Sequence, residues 1–280
     1  MQMAGEEERN FRVPYYHKIL SKGVDLKAID KILEERPVNL SKLQSYVLKF
    51  GLPPNKRKTA WKSLLEVSDR IEPEDETIEN VHKETCTILE SALNTLHMIN
   101  GRTRVSTKLL LMYILEIKDL SFDIDKQLAT QDNVTCNVIA MSFENFGFPF
   151  VDTYWLMRAF LLKLEDQRQN ILKMAQKFAV EDKDLEKHLE ETGAKDVLPI
   201  SVWFCRCFSG IIHDSCLVRL WDRLVSGSFK ILPIIANYTL LELRDDLLTI
   251  SSSTEIRRKL LEPTPLSSSE NITRNVLETK

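Results

Sequence analysis

The residue types that most often carry chemistry are thinly spread in this sequence. Its five cysteines, Cys86, Cys136, Cys205, Cys207 and Cys216, are an odd number, and the chain starts with MQMAGEEERN, which is acidic and polar rather than leader-like. Thiols in such a chain stay reduced and mostly pack as small apolar groups. Only Cys205 and Cys207 lie close together, and two residues apart on a helix point to nearly opposite sides. A zinc ion needs Cys or His ligands at set spacings, and no such quartet accompanies this pair. The five histidines, His17, His82, His97, His188 and His213, form no cluster either. Spacing therefore predicts no metal site and no cofactor.

The elements that remain must explain the chain by packing. Of 280 residues 43% are hydrophobic, enough for one large helical domain or two lobes sharing an interface. Lys and Arg number 38 against 41 Asp and Glu, a net charge of -3 that asks for neither nucleic acid nor an anionic membrane as the main partner. The longest apolar run, Ile231 to Leu241, contains Asn237 and Thr239 and is too short to cross a bilayer. A soluble, intracellular protein is expected. No stretch alternates apolar and polar residues with period two, only 8 glycines are available for hairpins, and no fixed-length repeat occurs. An all-α fold follows, and a solenoid does not.

Taken in order, residues 1–13 read as a loose lead-in. Helices are expected over Tyr15 to Leu20, Asp25 to Leu33, and around Leu40 to Leu48 with Asn39 or Ser41 as cap. Leu26, Ile29, Ile32, Leu33, Leu40, Leu43 and Val47 make apolar stripes that serve either the core or a partner's helix. After Gly51-Leu52-Pro53-Pro54 comes a block from Arg57 to Leu65, then an acidic connector over 69–77. A long helix follows with Val81, Ile88, Leu89, Ala92, Leu93, Leu96 and Ile99 on its apolar face, and Ser106 to Ile117 is apolar nearly all round, as in a buried helix. Residues 118–131 form a long polar loop. Further helices run from Val134 to Phe146, from Thr153 under a cap by Asp152, over Ile171 to Phe178, and around Leu185 to Leu189. The chain is expected to divide into lobes at 14–165 and 166–262, with 263–280 a mobile tail, Pro- and Ser-rich at first, that holds at most a weak terminal helix.

From Leu198 to Leu248 the pattern is densest. Asp214 is placed to cap a helix with Leu217, Leu220, Trp221 and Leu224 on one face; Gly227 stops it; and Pro233 opens a second helix that carries Ile231 through Leu248. The series Pro199, Trp203-Phe204, Phe208, Trp221-Asp222, Ser226-Gly227 and Lys230-Ile231-Leu232 resembles the C-terminal signature of TBC domains, the all-helical, two-lobed fold of Rab GTPase-activating proteins. Arg57 followed by Trp61 and Leu64-Leu65 resembles another block of that family, with Glu66 where Gly is usual and Arg57 read as a structural hydrogen-bond partner. Tyr154-Trp155 resembles a third.

The resemblance implies phosphoryl-transfer chemistry on a bound GTPase, using an Arg that neutralises charge on the transferring group and a Gln that positions water. The family writes the first as Ile-x-x-Asp-x-x-Arg, and here that register reads Leu96-x-x-Ile99-x-x-Arg102-Thr103, without the carboxylate that would orient the guanidinium. The second, Tyr-x-Gln-Gly, is absent near 120–124; Gln127 and Gln131 lie further along, and Asp123 carries the wrong charge. No catalytic residue is assigned beyond Arg102 as a remnant finger, and no partner-contact residue is assigned. The segments Asn10-Phe11-Arg12, Tyr15-Tyr16, Met112-Tyr113, Trp203 to Gly210 and Val225 to Leu232 are similar to the small scaffold branch of the family that serves the tuberous sclerosis complex. That likeness implies a non-enzymatic subunit in the cytoplasm, recruited through partners to lysosomal or vesicle membranes. It would bind the hamartin coiled coil and through it tuberin, supporting inactivation of Rheb and restraint of TOR signalling. The alternatives are an active activator of a Rab or Rheb GTPase using Arg102, and an effector that binds a GTPase without stimulating hydrolysis.

Overall fold

The computed structural model describes residues 26–67 and 74–279. The helix expected at Tyr15 to Leu20 lies outside them. Among the described residues every regular element is helical. The first part comprises α1 (Leu26–Glu34), α2 (Leu40–Phe50), α3 (Pro54–Leu64), α4 (Glu74–Thr95), α5 (Val105–Glu116), α6 (Ile124–Leu128), α7 (Gln131–Asn145) and α8 (Phe150–Gln176). The rest comprises α9 (Lys183–Glu191), a 3-10 turn (Lys195–Val197), α10 (Ile200–Cys205), α11 (Asp214–Val225), α12 (Ile231–Glu242), α13 (Arg244–Leu248), α14 (Ser253–Leu261) and α15 (Leu266–Glu278).

The core is a chain of aromatic rings. Trp221 on α11 stacks on Phe160 of α8 at 4.5 Å and meets Phe143 and Phe146 edge-on at 5.2 Å each. Trp61 on α3 takes the same two rings at 6.1 and 5.8 Å, and Phe148 at 5.7 Å. These tilted pairs join α3, α7, α8 and α11, because offset and edge-to-face contacts match the charge distribution of the rings. Around this centre α5 packs on α7, α4 on α5 and α8, and α2 on α11. As its all-apolar sequence predicts, α5 buries Leu109, Leu110, Leu111, Met112 and Ile114.

Several boundaries differ from the sequence reading. The division expected at 165/166 falls inside α8, an unbroken helix of 27 residues, since no Gly or Pro interrupts 150–176. Asp152 does not cap it; Pro149 precedes the first turn and Asp152 instead takes Lys62 at 2.6 Å. Likewise Asp214 is not the cap of α11: His213 is, and Asp214 accepts from Asn145 Nδ2 at 2.7 Å. The helix expected to run on to Leu248 ends at Glu242, and α13 follows after Leu243. The loop at 118–131 contains α6, whose first turn Asp123 caps through Lys126 N.

The mobile tail is the largest correction. Residues 266–278 form α15, packed on α11 and α12. Its inner face is Ser269, Ile272, Thr273 and Val276, all buried. Two of these four are polar, which hid the stripe. Ser269 is satisfied in place: its Oγ accepts from His213 N at 3.0 Å and lies 2.7 Å from Thr264 Oγ1, which donates to Ile211 O. Buried hydroxyls so partnered cost little.

The apolar stripes of α1 and α2, which the sequence left open to either core or partner, contribute four residues to the core. Ile29, Leu33, Leu43 and Val47 are buried.

Candidate functional site

The densest sequence signature builds a buried polar hub. Arg57 on α3 reaches Asp222 on α11 with two parallel hydrogen bonds, Nε to Oδ1 at 2.8 Å and Nη2 to Oδ2 at 3.0 Å. Trp61, one turn along α3, donates Nε1 to Asp222 Oδ1 at 2.8 Å, and Arg57 Nη2 also donates to Leu52 O at 3.1 Å. Burial pushes the Asp222 carboxyl above its ordinary range, and Arg57 and the Trp61 indole N–H only partly offset it. The hub is closed to solvent and offers nothing to a substrate. Arg57 is structural, as expected.

The positions where the resemblance places catalytic groups lie elsewhere, beyond the C-terminal ends of α4 and α5. Residues 100–103 form a self-contained turn: Arg102 N donates to Asn100 Oδ1 at 2.8 Å and Asn100 N to Thr103 Oγ1 at 2.9 Å. Ile99, at the Asp position of the motif, is buried and pins the turn to the core. The Arg102 side chain is exposed and makes no ion pair among the described residues. On the loop that follows α5, Gln127 is engaged with its own backbone neighbours. Its Oε1 accepts from Ser121 N at 2.8 Å, and its Nε2 donates to Asp119 O. The carboxamide thus ties two points of the 118–123 loop together, which fixes its orientation within its own loop. Gln131 is exposed in the first turn of α7.

The two loops do face one another, but over an apolar space. Leu96 and Met98 from one side, and Leu115, Leu120 and Phe122 from the other, line a cavity of about 320 Å³ to which Lys118 also contributes. Phe122 stands 95% exposed at its edge.

A second feature was missed in the sequence. The apolar face of α4 is not the single stripe expected. Cys86, Leu89 and Leu93 turn inward, while Val81 is 52% and Ile88 67% exposed. With half-buried Ile78, Thr85 and Ala92 these form a separate row spaced by three and four residues, the heptad seam of a coiled coil. One flank is locked to the core: His82 stacks on Trp155 at 3.9 Å, Trp155 Nε1 donates to His82 O at 3.3 Å, and Arg158 lies over the Trp155 ring. Arg158 Nε in turn reaches both oxygens of Glu116 at 2.8 Å, and Tyr154 donates to the same carboxylate. Burial and that neighbouring charge push the Tyr154 phenol up, and burial takes the Cys86 thiol to about 12. The cluster is a saturated support for α4. The signal was available in the 78-81-85-88-92 spacing, which overlaps the buried row closely enough to read as one face.

All five cysteines are free, with Cys86, Cys207 and Cys216 buried, and no group of His, Cys, Asp or Glu among the described residues could hold a metal ion. No helix among the described residues is long and apolar enough to cross a membrane.

No protein-family model matches the chain. It is 30% identical over 282 aligned residues to TBC1 domain family member 7 of Bos taurus, covering 99% of this chain and 96% of that protein. The same holds for the Homo sapiens protein of that name, and the Danio rerio protein is 31% identical over 240 residues, with 84% and 82% covered. In fold it is similar to the crystal structure of the Ypt/Rab-GAP domain of Gyp1p, with TM-score 0.60 at 13% identity, covering 90% of this chain and 96% of that one. It is also similar to the Chlamydomonas flagellar RabGAP TBC domain, with TM-score 0.58 at 14% identity and 99% and 93% covered.

Proposed function

The chain belongs to the TBC domain family, with the all-α fold of its Rab-GAP domains, and from that premise we propose that it is a non-catalytic scaffold that docks a coiled coil along α4. Its partner in this reading is hamartin, within the tuberous sclerosis complex, where tuberin carries the chemistry that inactivates Rheb and restrains TOR signalling.

The observation that carries the proposal is the outward face of α4. Ile78, Val81, Thr85, Ile88 and Ala92 offer a seam of roughly 20 Å, at 1.5 Å per residue, to a partner helix of matching period. Beside the C-terminal end of the seam, Thr95 already spends its hydroxyl on its own helix, Oγ1 donating to Ser91 O at 2.9 Å. Covering that side chain strands no donor, so its desolvation costs little.

The finger region supports the non-catalytic half of the reading. A guanidinium lowers a phosphoryl-transfer barrier when it is preorganised against the developing charge. Arg102 has no carboxylate to orient it, and Gln127 is committed to the loop backbone.

Titration calorimetry with a hamartin coiled coil tests the docking: Ile88→Glu is expected to weaken binding at least about a hundredfold, because an unpaired carboxylate is forced into an apolar interface, without lowering thermal stability. Wild-type affinity in that variant rejects the proposal. The alternative reading, favoured by the exposure of Arg102, is a GTPase activator. Single-turnover GTP hydrolysis across a panel of Rab GTPases and Rheb distinguishes it, since a scaffold shows no acceleration that Arg102→Ala removes.

A further inference from the structure

Phe122 is the most exposed large apolar residue among those described, and its loop is built to keep it there. The loop does not depend on the ring for its shape. Gln127 clamps Ser121 N and Asp119 O, Ser121 Oγ accepts from Asp123 N at 3.2 Å, and Asp123 caps α6. Gln127 is itself held in the chain by Thr130 Oγ1 and Asn133 Nδ2, which both donate to its carbonyl at 2.9 Å. A preorganised loop with an aromatic side chain in solvent has already lost the entropy that docking would otherwise take from it.

The cavity beside Phe122 is continuous with the seam of α4. Leu96 directly follows the last residue of that helix and lines the cavity, so a partner helix running along Ile78, Val81 and Ile88 arrives there next. A heptad seam alone does not fix a partner's position, because a slip of seven residues presents an equivalent face; a non-repeating feature at one end does. We propose that Phe122 and its cavity are a register pin: the ring packs against the docked coiled coil, and the cavity receives one large apolar side chain from it. The inference rests on the docking reading above. Lys118, which lines the cavity and has no ion-pair partner among the described residues, sets a preference for a carboxylate beside that side chain. The acidic neighbours Asp119, Asp123 and Asp125 argue against an anionic membrane as the occupant.

The full chain is titrated with a hamartin coiled coil, and the register is read by photo-crosslinking from a benzophenone amino acid placed at exposed Asn80. Wild type is expected to cross-link at one position of the partner. Phe122→Ala is expected to bind about tenfold more weakly, as for an interface aromatic, and to spread its cross-links over positions seven residues apart. Gln127→Ala, which keeps the ring but frees the loop, is expected to fall between the two. Unchanged affinity and a single register in Phe122→Ala, with binding abolished by Ile88→Glu, overturns the pin and leaves the docking intact. Unchanged affinity in Ile88→Glu overturns both. Phosphatidylserine vesicles that retain wild type but not Phe122→Ala, with coiled-coil binding equal in the two, also overturn the pin.

Discussion

Two places in the molecule carry family-typical residue spacings, and they have opposite fates. At the Arg57–Trp61–Asp222 hub every side chain meets its partner at 2.8 to 3.0 Å in a buried setting. Beyond the ends of α4 and α5, Arg102 falls in finger register but is exposed, and Gln127, outside the register of the Gln motif, is tied to its own loop. Family-typical spacing thus brings buried groups of different helices together at the hub, while Arg102 and Gln127 make hydrogen bonds within their own loops. Motifs that specify packing and motifs that specify reaction are separable in one chain, because the first are selected by burial and the second by geometry at a surface.

The sharpest way to break this comparison is to remove Asp222. Asp222→Ala leaves Arg57 buried and unpaired, and denaturant unfolding is expected to show a loss of about 3–5 kcal/mol. Arg102→Ala and Phe122→Ala, at exposed sites, are expected to stay within about 0.5 kcal/mol of wild type. If Arg102→Ala costs as much as Asp222→Ala, the surface turn is part of the structural framework and the contrast disappears.

A smaller loss is expected at Gly210, in the turn between α10 and α11. Its φ of +77° suits glycine, and an added Cβ would sit 3.1 Å from Val138 Cγ1 on α7. Gly210→Ala combines left-handed strain with a tight contact, for an expected cost of about 1–3 kcal/mol in thermal or denaturant melts. The preceding residues, Cys207 and Phe208, already hold φ of 48° and 64°. They are kept there by Trp221 Nε1 donating to Cys207 O and Phe208 N donating to Trp203 O, both at 2.9 Å.

The opposite sign is expected at Glu66, where the family usually has Gly. Its φ is 55°, so the departure noticed in the sequence is a strained one. Glu66→Gly relieves that strain but gives up an attraction to Lys163, leaving a net gain of about 0.5 kcal/mol. A lower melting temperature in this variant would mean that the contacts of Glu66 outweigh its backbone.

What could be read in advance follows the same division. The all-α class was legible because apolar period is a local property of sequence, while the TBC fold and the structural role of Arg57 were legible only through the resemblance of the Trp61, Trp203 and Trp221 blocks to that family. The packing of α15 was not legible, since half of its inner face is Ser and Thr, and the fitness of Ser269 for burial depends on Thr264 and His213 from elsewhere. The seam on α4 was only half legible: the sequence holds both its apolar rows, but which faces inward is decided by α5 and α8. The occupation of Gln127 was hidden too, because a carboxamide that ties a loop and one that positions water look alike until the backbone is placed.

The smallest expected effect probes the support beneath the seam. His82 is held below its ordinary value of 6.5, first by burial and then by Lys62, with Arg158 adding to the effect while Asp152 and Glu79 oppose it. Its unfolded counterpart therefore takes up a proton first as pH falls, so the unfolded state binds more protons in the window just below 6.5 and stability declines there. The contribution is complete above that value and is lost as pH drops through the lower folded one. Phe at this position keeps a ring against Trp155 without a titrating nitrogen, so His82→Phe should flatten the dependence of melting temperature on pH between about 7 and 5. An unchanged slope would assign it to other titrating groups, leaving the stack of His82 on Trp155 as a packing contact alone.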